Sequence, residues 1–370
     1  MGILSNGAIL IGLVLFQILI TSPFFGTCFQ QNILPANFVF GDSLVDVGNN
    51  NYILTLSQAN HFPNGIDFGE PTGRYTNGRT AIDIIGQALG LKNFTPPYLA
   101  PTTTGPVILQ GVNYGSGGAG IFNTTGYMFG GRVNMDAQID NFANTRRDII
   151  SNIGYPAAMQ LLRKAIFSIT MGSNDFINNY FIPFVTIAKQ NLLPPEIFVA
   201  TMISRFRLQL IRLYYLGARK IIVVNVGPIG CIPYVRDTNP NAGEDCVELP
   251  NQLAQLFNTK LRSLVVELSN TLVESNLVYA DTYYIVQDII NNYKSYGFEI
   301  ANTSCCNLAG RFGGLVPCGP LSEICERRSK YVFWDSYHPS EAANLILARR
   351  LLDGDSNDIS PINIRQLANL

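Results

Sequence analysis

Short apolar runs alternate with amphipathic stretches along almost the whole chain, and this alternation restricts the fold more than any other feature. Phe38-Val39-Phe40, AIFSITM at Ala165–Met171, KIIVVNV at Lys220–Val226 and Leu277–Ala280 have the length and make-up of buried strands, with Gly111-Val112-Asn113-Tyr114 as a shorter candidate. Between them, helical spacing appears at Ala81–Leu89, Met135–Ile153, Pro195–Leu216 and Leu253–Leu268, and again at Ala342–Leu352. Such an order predicts an α/β fold: a parallel sheet covered by helices on both faces, with functional residues beyond the carboxyl ends of the strands. No linker, composition break or repeat divides the chain, so a single domain over 29–370 is expected, with a long polar loop at Asn64–Arg79.

The N-terminus has a different character. Ala8–Ile20 is apolar but short for a membrane span, and small residues at Gly26 and Cys28 allow cleavage, so 1–28 reads as a signal peptide and the mature chain as having no stable span. Removing Cys28 leaves an even set of six cysteines: Cys231, Cys246, Cys305, Cys306, Cys318 and Cys325. Four of them crowd a Gly- and Pro-containing stretch at about 296–330 that reads as a long loop held by disulfides, with the pairing open. Zinc is the rival reading, opposed by the absence of a C-x-x-C spacing or a histidine within the cluster. Three glycosylation sequons, at Asn93, Asn123 and Asn302, fit the same oxidising compartment and a secreted, extracellular protein. Charged residues are only 14% of the chain and the formal net charge is −1, which disfavours a nucleic-acid partner.

The stretch FVFGDSLVDVGNN places Ser43 just past the first strand. A serine there can simply cap a turn; as a nucleophile it needs a base, and the chain has only two histidines, His61 and His338. His61 lacks a local carboxylate partner. His338, in FWDSYHPS, follows Asp335 by three residues, close enough for the carboxylate to hold the imidazole in one tautomer. Donors for an oxyanion are offered by the glycines of Gly115–Gly120 after the second apolar run and by Asn174 in MGSND after the third. In a parallel sheet these turns meet at one edge. Val45 stands where a G-x-S-x-G elbow needs its second glycine, so the commonest serine-hydrolase scheme is excluded.

With its ordered blocks FVFGDSLVDVGNN, PTGRYTNGRTAIDIIG, GVNYGSGGAGI, MGSND, ARKIIVVNVGPIGCIPY and FWDSYHPSEAAN, the chain resembles the plant-type GDSL esterase/lipases of the SGNH hydrolase superfamily from Phe38 to Leu352. Gly115 replaces the alanine usual in plant members. The resemblance implies a three-layer α/β/α sandwich with a five-stranded parallel, flavodoxin-like sheet. It further implies Ser43 as nucleophile, His338 as base and Asp335 as its orienting acid. The oxyanion hole would use Ser43, Asn174 and Gly118, with the neighbouring Gly117 as an alternative donor. The implied activity is hydrolysis of lipid or acylated esters through an acyl-enzyme, with no metal or cofactor. An acyltransferase using the same acyl-enzyme, or a catalytically silent wall or defence glycoprotein, are the competing readings. Substrate, acyl length and oligomeric state stay open.

Overall fold

The computed structural model describes residues 34–182, 193–239, 241 and 243–370; the proposed signal peptide and Cys28 lie outside them. Four strands run parallel in the order β1 (Asn37–Gly41), β2 (Ile166–Thr170), β3 (Lys220–Val224) and β4 (Asn276–Ala280). Their registers align Gly41, Thr170, Val224 and Ala280, so all four carboxyl ends finish at one edge. Nearly every strand residue is buried, as expected for a sheet covered on both faces.

The expected fifth parallel strand requires correction. The sheet is mixed, because its fifth member, β5 (Ile359–Ser360), pairs antiparallel with β4 through Ala280 and Ile359. Two residues closed by Pro361 are too few to show a strand period. The anticipated run at Val112–Tyr114 does lie parallel to β1 at the other edge. Val39 N–H donates to Val112 O (3.0 Å) and Tyr114 N–H to Val39 O (2.7 Å). It pairs as a single bridge, Val39 with Asn113, because the Asn113 side chain turns to bond Val45 O at 2.7 Å and Gly115 N at 2.8 Å.

One helical layer consists of α2 (Met135–Ile153), α4 (Pro195–Tyr215) and α5 (Glu248–Thr271). The other holds α1 (Ala81–Ala88), α6 (Thr282–Asn291) and α7 (Glu341–Asp353), with α3 (Tyr155–Lys164) leading into β2. Helix starts are set by local chemistry. Thr80 and Asp83 form a reciprocal capping box on α1, and Asn134, Asp281 and Ser340 cap α2, α6 and α7.

The cysteine-rich segment is more ordered than a stapled loop. Its strand Ile300–Ser304 pairs in parallel with Tyr331–Phe333, and Cys306–Asn307 pairs antiparallel with Glu323–Ile324. All six anticipated cysteines form disulfides: Cys231–Cys246, Cys305–Cys325 and Cys306–Cys318. Their thiols are therefore engaged with one another, which removes the zinc reading.

Candidate active site

Ser43 stands on a tight turn immediately after β1. At Gly41 a side chain would meet Thr170 O at 2.5 Å, so glycine lets the neighbouring strand approach. Gln138 of α2 brackets this glycine, accepting from its N–H at 2.9 Å and donating to its carbonyl at 2.7 Å. Asp42 is buried beside it. Its Oδ1 accepts from Leu44 N–H at 3.0 Å, whereas Oδ2 has no partner among the described residues, and burial pushes the carboxyl up to about 7.

The histidine arrives from the other end of the chain. After Tyr331–Phe333 the backbone makes a turn closed by Trp334 N–H donating to His338 O at 2.8 Å. Asp335 Oδ1 accepts from Tyr337 N–H (2.9 Å), His338 N–H (2.8 Å) and the His338 ring Nδ1 (2.8 Å). One carboxylate thus fixes both the turn and the imidazole. Because Asp335 accepts at Nδ1, that nitrogen carries the proton and Nε2 faces Ser43 Oγ at 2.7 Å as the acceptor. The Tyr75 ring packs against the imidazole at 5.1 Å between centroids. Asp335 and His338 are buried and Ser43 is half-exposed. His61 is half-buried and outside this constellation, its ring Nδ1 3.3 Å from the Phe62 carbonyl.

The two glycines in question differ in what their N–H groups meet. Gly117 N–H donates to Asp46 Oδ2 at 3.0 Å, while the Gly118 and Ser43 N–H groups have no acceptor among the described residues. Gly118, at φ +81°, lines the same cavity as Ser43, Asn174 and His338. Asn174 is oriented at both ends of its amide: Nδ2 donates to Ala119 O at 2.9 Å, and Oδ1 accepts from Asn178 Nδ2 at 2.6 Å. The other Nδ2 hydrogen is thereby left for the cavity. Of the two glycines, Gly118 is the one that lines the cavity with its N–H unengaged.

Supporting residues that carried no role in the sequence reading hold this loop in place. Asp46 accepts from Gly48, Asn49 and Gly117 N–H groups. Asn49 Nδ2 donates to the Asn113 and Gly115 carbonyls, and Asn50 Nδ2 to the Gly117 carbonyl. Asp175, next to Asn174, accepts from Ile121 and Phe122 N–H and from the Thr125 hydroxyl, tying the two donor-bearing turns together. Burial pushes Asp46 and Asp175 each up to about 6. The only signal for them was their nearness to the motifs, and a buried aspartate looks in sequence like a turn residue. Of the sequon residues, Asn93 and Asn123 are exposed and Asn302 is half-buried on its strand.

A family model for GDSL-like lipase/acylhydrolase matches residues 38–351. Among curated relatives, an Arabidopsis thaliana GDSL esterase/lipase is 62% identical over 358 residues, covering 96% of this chain and 97% of its own. A second from the same plant is 50% identical over 360 residues, covering 94% and 96%, and a third is 50% identical over 342, covering 91% and 88%.

Proposed function

The chain belongs to the GDSL-like lipase/acylhydrolase family and is a carboxylic ester hydrolase; on that premise we propose that it works through an acyl-enzyme on Ser43. The observation that carries this reading is the unbroken hydrogen-bond chain from Asp335 through His338 to Ser43 at the mouth of a cavity. Ser43 Oγ attacks the ester carbonyl carbon while its proton passes to His338 Nε2. The imidazolium that forms is stabilised by Asp335. Negative charge on the carbonyl oxygen is met by the Ser43 and Gly118 N–H groups and the Asn174 amide. When the C–O bond to the alcohol breaks, His338 returns its proton to the leaving oxygen. Water then repeats the sequence on the acyl-enzyme, with His338 taking its proton, and the carboxylic acid leaves.

The same reading extends to location. A cleavable segment at 1–28, disulfides among all six remaining cysteines and exposed sequons at Asn93 and Asn123 support a secreted glycoprotein. Among the described residues no helix is long and apolar enough to cross a membrane.

Labelling the purified protein with a fluorophosphonate tests the mechanism. Wild type is expected to take up one label and Ser43→Ala none; equal labelling of both would remove Ser43 as the nucleophile.

A further inference from the structure

The long polar loop Asn64–Arg79 packs against the candidate active site, and one of its side chains touches two separate parts of it. Tyr75 is buried. Both of its chain neighbours are tied down. Arg74 Nε and Nη2 each donate to the Asp83 carboxylate on α1 at 2.8 Å, and the Thr76 hydroxyl donates to Pro339 O, next to His338, at 3.2 Å. The tyrosine is therefore held in the same frame as the histidine turn.

At one end, the Tyr75 ring lies 5.1 Å from the His338 imidazole, tilted by 41°. Asp335 already holds that imidazole at Nδ1, and the ring contact limits its rotation about this bond. At the other end, the phenolic oxygen supports the glycine turn that carries Gly118. A Cβ on Gly117 would meet this oxygen at 2.1 Å, so the turn's backbone rests directly on it. Asn50 Nδ2 joins the two, donating to the Gly117 carbonyl at 3.0 Å and to Tyr75 Oη at 3.2 Å. The hydroxyl itself donates to Ser57 O at 2.8 Å, which leaves Ser57 Oγ, 2.9 Å away, as a donor to it. Its one donor and two acceptor positions are then all used. Burial, with Asp46 nearby, pushes the phenol well above its ordinary range, so Tyr75 keeps its proton and acts through what it touches.

In the mechanism proposed above, one tetrahedral intermediate spans both parts. Its oxyanion faces Gly118 while its leaving oxygen takes a proton from His338, so the spacing of base and donor has to hold to about 0.5 Å. We propose that Tyr75 is a positioning residue that sets this spacing, its ring backing His338 and its hydroxyl seating the Gly117–Gly118 turn. The assignment rests on that Ser43 mechanism.

The test measures kcat and KM on a soluble ester, with rates divided by the active sites titrated to completion with a fluorophosphonate, so that misfolded protein does not count. Tyr75→Phe keeps the ring and loses the hydroxyl; kcat should fall about three- to tenfold, with KM within about twofold of wild type. Tyr75→Leu loses both contacts, and kcat should fall about 100-fold, so that phenylalanine recovers much of the loss. Ser57→Ala weakens the same hydroxyl contact; it should cost about threefold alone and add nothing to Tyr75→Phe. Ser57→Ala and Tyr75→Phe decide the matter should Tyr75→Leu not fold. Four results each overturn the assignment and leave Ser43 in place: wild-type kcat per active site in Tyr75→Phe, a loss confined to KM, a leucine variant no worse than the phenylalanine one, or losses of Ser57→Ala and Tyr75→Phe that multiply. Failure of wild type to titrate overturns the Ser43 mechanism, and the Tyr75 assignment falls with it.

Discussion

His338 Nε2 and Ser43 Oγ lie 2.7 Å apart although 295 residues separate them in sequence, whereas His338 and its carboxylate partner Asp335 are only three apart. His338 and Asp335 thus share one local turn, and Ser43 is delivered to them by the sheet. Asp335→Asn keeps an acceptor for the two backbone N–H groups but can present an amide N–H to Nδ1, which favours the wrong tautomer. We expect kcat/KM to fall roughly 10³- to 10⁴-fold with little change in thermal midpoint. On the proposed mechanism the residues act as one unit, so Ser43→Ala combined with His338→Ala should be hardly worse than Ser43→Ala alone. Multiplying losses in soluble-ester assays would show that His338 acts elsewhere.

Asn174 makes the next case, since its amide is steered from both ends before any substrate arrives. Asn174→Ala should lower kcat about 10²- to 10³-fold and leave KM nearly unchanged, the signature of a donor used in the transition state. Asn178→Ala removes only the 2.6 Å bond that steers Asn174 Oδ1, so a smaller loss of about tenfold in kcat is expected. Steady-state kinetics on both variants checks this. An effect confined to KM would instead make Asn174 a binding residue.

How far the sequence carried the fold depended on how local each signal was. The four parallel strands were legible because each is a short apolar run almost wholly buried, and the Asp335–His338 pair because three residues suffice to build it. β5 was not, since a two-residue strand has no period and its direction is set by what it meets at β4. Helices α3 and α6 also escaped the periodicity reading. The choice between Gly117 and Gly118 turned on Asp46, whose carboxylate reaches across 71 residues to occupy one N–H. Buried carboxylates of that kind look like ordinary turn residues until tertiary structure supplies their partners.

The disulfides make a prediction that joins stability to activity. Cys305 N–H donates to Phe333 O at 3.1 Å and Cys306 N–H to Trp334 O at 2.7 Å, so the cysteine segment is laced to the strand and turn that carry Asp335 and His338. Cys305–Cys325 and Cys306–Cys318 close sequence separations of 20 and 12 residues. Replacing either pair with serines should cost about 2–4 kcal/mol by chain entropy. Trp334 is buried in the same cluster and bonds Asn64, so kcat should fall with the loss of either bridge. Urea unfolding and ester assays on the two double variants test this, and unchanged kcat at reduced stability would limit the bridges to a structural part.

Asp42 gives the final prediction, and its sign is the reverse of the usual one for a carboxylate. In the unfolded chain an aspartate titrates near 3.8; in the fold, burial raises Asp42 to about 7. Between those values the native state holds a proton that the unfolded state has released, so stability falls as pH rises through this window. The favourable contribution is complete below pH 4 and gone above pH 7, with a slope of at most about 1.4 kcal/mol per pH unit. Asp46 and Asp175, raised to about 6 by burial, act in the same direction, while Asp67 and Asp353, lowered by Arg328 and Arg365, act in the opposite one. The difference between wild type and Asp42→Asn isolates the single group, since asparagine can still accept from Leu44 N–H and does not ionise. Urea midpoints measured from pH 4 to 8 should therefore drop more steeply for wild type than for the variant, and parallel curves would mean that Asp42 enters the fold already ionised.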